Sequence, residues 1–205
     1  MKLIGLCFLA FQILQSGNML EAQTNNTPAP PPPPPAIEYN IVNWKEFNST
    51  EGRFRILMPG VPTFNETPVA GQLVARQYTL RTNTAEYGIS YTDLPVNVEG
   101  AEMTKRFFDG GRNEVVANGA TLLNENDLTL DGIVGREFIV EVKGTIGRNR
   151  MFLVNGRFYS LTLATSPNVV FKNGKPSPNP KERTDFYEDI ATRFFDSFKF
   201  TSALK

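Results

Sequence analysis

Four arginines, Arg136, Arg148, Arg150 and Arg157, fall within one stretch of about twenty residues. A planar guanidinium donates in a fork that fits carboxylate or phosphate, so a cluster of them is a candidate anion or partner site. Two groups of acids offer the opposite chemistry. Glu182, Asp185, Glu188 and Asp189 lie close together, as do Glu125, Asp127 and Asp131, and carboxylate oxygens are the ligands that calcium takes. Neither group has the spacing of an EF-hand loop, and acids near a helix start or a turn have backbone reasons to be there. Asp93 is a candidate catalytic acid, but neither a second carboxylate nor a histidine accompanies it in the sequence.

The composition removes much other chemistry. The chain has 205 residues, no histidine, and one cysteine, Cys7. Its 21 Lys and Arg balance its 21 Asp and Glu, so there is no surplus positive charge for a nucleic acid backbone. Without histidine the usual proton carrier at neutral pH is missing, together with the commonest zinc ligand. No nucleophile elbow or serine–lysine motif appears. Catalytic residues, cofactor and metal are therefore all expected to be absent.

The N-terminus reads as a targeting segment. Lys2 precedes an apolar run from Leu3 to Leu14, and Leu20-Glu21-Ala22 gives a cleavage context, so residues 1–22 are expected to be a secretory signal peptide. Gln12, Gln15 and Ser16 interrupt the run before it reaches the length a membrane span needs. Cleavage near Ala22 would remove the only thiol and leave a disulfide-free, exported chain, periplasmic or extracellular, with no transmembrane segment. Residues 23–37 follow as a linker, with an unbroken proline run from Pro30 to Pro35. Proline fixes φ and lacks a donor, so this run should be a polyproline II spacer of roughly 3 Å per residue.

Residues 38–205 are then read as one domain. Phe54, Ile56 and Met58 alternate with Arg53, Arg55 and Leu57 as a strand does, and Pro59-Gly60 ends it. Leu73 to Leu80 and Tyr87 to Asp93 read as further strands, and with a short piece at Trp44 to Phe47 they form an antiparallel set. Met103, Phe107, Gly111 and Val115 recur every four residues and predict a helix from Ala101 to Asn118, stopped by Gly119. Gly110-Gly111 inside it costs about 1 kcal/mol per glycine, which a close backbone approach or a bend would offset.

A meander of strands comes next, over Thr121 to Leu130, Ile133 to Lys143, Arg148 to Val154 and Arg157 to Thr165. Asp131-Gly132 and Asn155-Gly156 are two-residue hairpin signals. Pairing Val154 with Arg157 puts Phe152, Val154, Tyr159, Leu161 and Leu163 on one face, with Arg150 and Arg157, and Met151, Leu153 and Phe158 on the other. Both faces are apolar, so both should be covered. After a loop from Ser166 to Pro178 carrying the apolar trio Val169, Val170 and Phe171, Asn179-Pro180-Lys181-Glu182 marks a second helix start. Phe186, Ile190 and Phe194 form its stripe. The expected fold class is α+β, a three-layer α/β/α sandwich with a central antiparallel sheet.

Several of these segments resemble a known family. Trp44-Lys45-Glu46-Phe47, Gly52-Arg53-Phe54 and Met58-Pro59-Gly60-Val61-Pro62 are similar to the opening of small exported bacterial domains of the PsbP-like and DcrB-like kind. Tyr91-Thr92-Asp93-Leu94-Pro95, Asp131 to Glu137, Arg150 to Val154 with Arg157-Phe158-Tyr159, and Phe195-Asp196-Ser197-Phe198 continue the pattern in order. The resemblance implies a PsbP-like fold and an accessory or binding role with an envelope or secreted partner. It also keeps open a calcium-binding extrinsic subunit of a membrane complex, and a carboxylate-based hydrolase remains a further alternative. Arg136, Arg150 and Arg157, with Val169, Val170 and Phe171, are the expected partner surface; the partner and the oligomeric state are not legible.

Overall fold

A computed structural model of the chain describes residues 44–69, 73–82, 84–95, 100–165 and 180–201. Its main sheet has seven antiparallel strands: β3 (Thr63–Pro68), β4 (Val74–Arg81), β5 (Ala85–Asp93), β9 (Arg157–Thr165), β8 (Thr145–Val154), β7 (Ile133–Val142) and β6 (Thr121–Leu130), in that spatial order. Three tight turns join the last four strands in sequence. Asp131-Gly132, Lys143-Gly144 and Asn155-Gly156 all have positive φ at both residues, the conformation that matches the twist of a hairpin. The register pairs Val154 with Arg157, as the apolar pattern requires.

Each face of this sheet buries its own core. Phe138, Val140, Val142, Met151 and Phe158 pack against Phe107, Phe108 and Val115 of helix α1 (Ala101–Ala117). Gly111 is buried on the same helix face, whereas Gly110 is exposed and has open space around it, so only one of the two glycines meets the core. On the opposite face Tyr87, Ile89, Tyr91, Phe152, Val154, Tyr159, Leu161 and Leu163 meet Ile190, Ala191, Phe194 and Phe195 of helix α2 (Pro180–Asp196). Strand β9 is buried along its whole length, which fits an apolar run covered on both sides.

The layer holding α2 also contains a small sheet. Strands β1 (Lys45–Ser49) and β2 (Phe54–Met58) do not join β4 and β5, as the sequence led us to expect, but pair with each other and with β10 (Lys199–Phe200). Phe54, Ile56 and Met58 turn their buried sides to the main sheet beside α2. Burial explains the separation. The aromatic side chains on β4 and β5 need a lid that one seventeen-residue helix cannot supply, and Phe47 and Phe54 provide it at 4.8 and 5.9 Å from Tyr78. β3 is all exposed and lacks an apolar alternation, so it carries no strand signal of its own. Among the described residues, no helix is long and apolar enough to cross a membrane. The expected signal peptide, the proline spacer and Val169-Val170-Phe171 lie outside the described residues.

Candidate functional site

The arginines are the residues from which a site was expected, and the strands place them on two faces. Arg136, on β7, faces α1. Its Nη1 donates to Asp109 at 2.7 Å and to Glu125 at 3.1 Å, and its Nε to Asp127 at 2.8 Å. The guanidinium carbon also lies 5.7 Å from the Phe108 ring centre. Burial disfavours the Arg136 charge, but the hydrogen bonds to Asp127 and Asp109 outweigh it and raise its pKa. Asp109 in turn is held below the ordinary carboxylate range by its bond from Lys105, against burial and with help from Arg136. Arg112 closes this cluster on Glu125 at 2.8 Å. Glu125 and Asp127, considered above as calcium ligands, thus point their oxygens at guanidinium groups.

Arg150 and Arg157 share the other face, but separate ion clusters hold them. Arg150 bridges Glu137 on β7 at 2.6 Å and Asp196 at the end of α2 at 2.9 Å, lying 4.9 Å over Phe195. Arg157 makes a fork to Asp93, Nε to Oδ1 at 2.6 Å and Nη2 to Oδ2 at 2.9 Å, and its Nη1 donates to the Glu51 carbonyl at 2.6 Å. The guanidinium lies 4.7 Å over Tyr91. Arg76 approaches the same ring at 5.9 Å and reaches Glu51 and Glu66 at 3.0 and 2.8 Å. Arg148 donates to both oxygens of Glu188 and sits 5.3 Å from the Tyr187 ring, whose hydroxyl burial pushes up to about 12. Arg136, Arg150 and Arg157 are therefore not assembled into one patch.

The segments that carry the family resemblance have a common physical job. Asp93 is the partner of Arg157, and Leu94 donates its N–H to the Gly156 carbonyl at 2.7 Å. The Tyr159 hydroxyl donates to the Gly52 carbonyl at 3.0 Å, and the Gly52 N–H to Ser49 Oγ at 2.9 Å. Ser197 Oγ accepts from the Leu57 N–H at 2.9 Å. A Cβ at Gly135 would come within 2.5 Å of the Phe152 ring and 2.7 Å of the Met151 carbonyl oxygen. These residues latch the small sheet, the main sheet and α2 together. Nothing in the sequence signals the Asp93–Arg157 fork, because it joins strands 64 residues apart.

Large apolar side chains that remain exposed lie mostly on or next to the two outer strands of the main sheet. Among the described residues they are Val61 just before β3 and Phe64 on it, Leu122 and Leu123 on β6, Val134 on β7, and Val116 near the end of α1. Val134 sits on β7 next to Thr129, and Leu123 occupies a register shift between Leu122 and Asn124. These six were not singled out from the sequence, since an exposed apolar residue differs from a core one only once the pairing is known.

No family model matches the chain, and no curated protein sequence does. Among solved structures it is similar to the cyanobacterial PsbP (CyanoP) of Synechocystis sp. PCC 6803, at 15% identity and a TM-score of 0.48, over 78% of this chain and 94% of that one. The Ran-binding protein Mog1p of Saccharomyces cerevisiae is similar at 10% identity and a TM-score of 0.45, over 78% and 96%. A protein of unknown function from Pseudomonas aeruginosa, PA94, is similar at 13% identity and a TM-score of 0.36, over 73% and 95%. The PsbP-like resemblance expected from the motifs is thus met among solved structures. It concerns the course of the chain alone.

Proposed function

We propose that this chain is an exported, non-enzymatic accessory or binding domain of the bacterial cell envelope. One observation carries the reading: the charged side chains inside the fold are engaged with one another, while most of the exposed large apolar side chains lie on or next to the two outer strands of the main sheet. Apolar side chains grouped at a rim fit recognition of another polypeptide better than they fit turnover of a small substrate. The apolar N-terminal run and the proline segment support export and a spaced tether.

The test is made in cells. A photocrosslinking amino acid placed at Leu123, Val134 or Phe64 of the tagged full chain should trap one reproducible protein in envelope or periplasmic fractions, and the mature N-terminus should read from Gln23. Recovery of uncrosslinked domain alone from all three positions, or a chain retaining Met1, would overturn the reading.

A further inference from the structure

The two rims of the main sheet are finished differently. β3 is six residues long, follows Pro62, ends on Pro68, and sets Phe64 against Tyr78 with ring centres 4.9 Å apart. Proline has no N–H to offer a further strand, so this rim is blocked at both ends. β6 is ten residues long and contains no proline, lysine or arginine. Among the described residues, one side of it has no neighbouring strand.

The hairpin fixes which groups that open side presents. Asp131 and Gly132 have φ of 53° and 82°, a two-residue primed turn, so Leu130 and Ile133 form a hydrogen-bonded pair. Counting back, Leu128 and Asn126 also bond to β7, and the N–H and C=O groups of Thr129, Asp127 and Glu125 point away from the sheet. Glu125 and Asp127 project on the α1 face, and Asn124, Asn126, Leu128 and Leu130 on the other. Leu122 and Leu123 lie exposed at one end of this ladder, and Val134 beside the other.

Charge selects the occupant. Asp127 is 67% exposed while its partner Arg136 lies one strand inward at 13%, so Asp127 and the turn residue Asp131 put acidic charge on this rim, whereas Glu125 is already held by Arg112 and Arg136. We propose that β6 accepts an added strand from a partner protein, an extended segment with Lys or Arg at alternate positions on the α1 face and apolar residues between them. Opposite charges directly across two strands stabilise the pairing, and the outward backbone groups supply the ladder. A second copy of the chain fits less well: self-pairing centred on residue 125, 126 or 127 sets acid against acid. Residues 1–43 fit no better, with Lys2 as their single basic residue.

This proposal rests on the binding reading and specifies where and what it binds. The probe is a capped heptapeptide alternating Lys and Val, added to the isotope-labelled full chain, with amide shifts and hydrogen exchange read residue by residue. The expected result is about tenfold or greater slowing of exchange at Glu125, Asp127 and Thr129. Binding should be about threefold weaker for Asp127→Asn and absent for Thr129→Pro, whose lost N–H faced outward. Thermal melting confirms that both variants fold; should Thr129→Pro unfold, Asp127→Asn and a Glu-for-Lys peptide, expected not to bind, decide alone. No change at these amides up to millimolar peptide overturns the proposal, as does equal binding of the Glu peptide. Slow exchange without peptide overturns it too, in favour of a second copy if it depends on concentration and of the chain's own segment if it does not. Crosslinks trapped only at Phe64 would end this proposal and leave the binding reading standing; no crosslinked partner at any position ends both.

Discussion

Replacing Arg157 by methionine removes the fork that ties β9 to the end of β5 and to the loop before β2. The side chain is only 7% exposed, so its three donors have no ready access to water. Asp93 is 55% exposed and recovers hydration when the guanidinium goes, which limits the two bonds between them to about 1 kcal/mol together. The bond to the Glu51 carbonyl is charge-assisted and contributes about 1.5 kcal/mol. The contact over Tyr91 contributes about 1 kcal/mol more. Methionine keeps the apolar stem, so these contributions alone are lost, about 3.5 kcal/mol. In urea unfolding with a slope of about 2 kcal/mol per molar, the midpoint should fall by about 1.8 M with the slope unchanged. Asp93→Ala should cost about 2 kcal/mol, because it leaves a nearly buried cation without its acceptor. The double variant should then cost about 1 to 2 kcal/mol less than the two singles taken separately. A loss below 1 kcal/mol for Arg157→Met, or strict additivity in the double variant, would refute the latch.

Other perturbations probe other parts of the fold. Gly135→Ala drives a Cβ into the Phe152 ring and the Met151 carbonyl, and because backbone cannot step aside easily it should cost about 3 kcal/mol, read as a lower melting temperature. The Asp109 carboxyl titrates below its ordinary range in the folded state, so the stability it lends is present above about pH 4 and is lost as pH falls further. Asp109→Asn should flatten that acid limb of an unfolding-versus-pH curve. For Tyr187 the sign is reversed: its folded pKa is raised to about 12, so its contribution is complete below about pH 10 and is lost as pH rises towards 12. Tyr187→Phe should shrink the late part of the phenolate absorbance rise and soften the alkaline loss of stability.

The parts of this fold that were legible in the sequence are those fixed by neighbours along the chain. Asp131-Gly132 and Asn155-Gly156 dictate turns, and from Val154 opposite Arg157 the alternation of Phe152, Tyr159 and Leu161 follows without further information. The stripe of Phe107, Gly111 and Val115 did the same for α1. The α+β class and a central antiparallel sheet between helices followed from the order of elements. What escaped was set across long separations. Nothing local distinguishes a β2 that joins the main sheet from one that pairs with β10, where Arg55 meets Lys199 and Phe54 meets Phe200. β3 is drawn into the sheet by β4 and not by its own residues, as its uniform exposure indicates. The four arginines stand in one row of the sequence, but their acids come from α1, α2 and other strands, so the row becomes four separate ion clusters in space.

The pairing of β10 with β2 has a consequence in time. A ribosome delivers Phe54 long before Phe200, so while the main sheet is being made the small sheet lacks its closing strand, and Phe198, which packs 5.6 Å from Phe54, is still missing. The domain cannot complete its core until Phe200 has emerged. A stop codon anywhere before Phe198 therefore yields a polypeptide that never closes, however much of the main sheet it already contains.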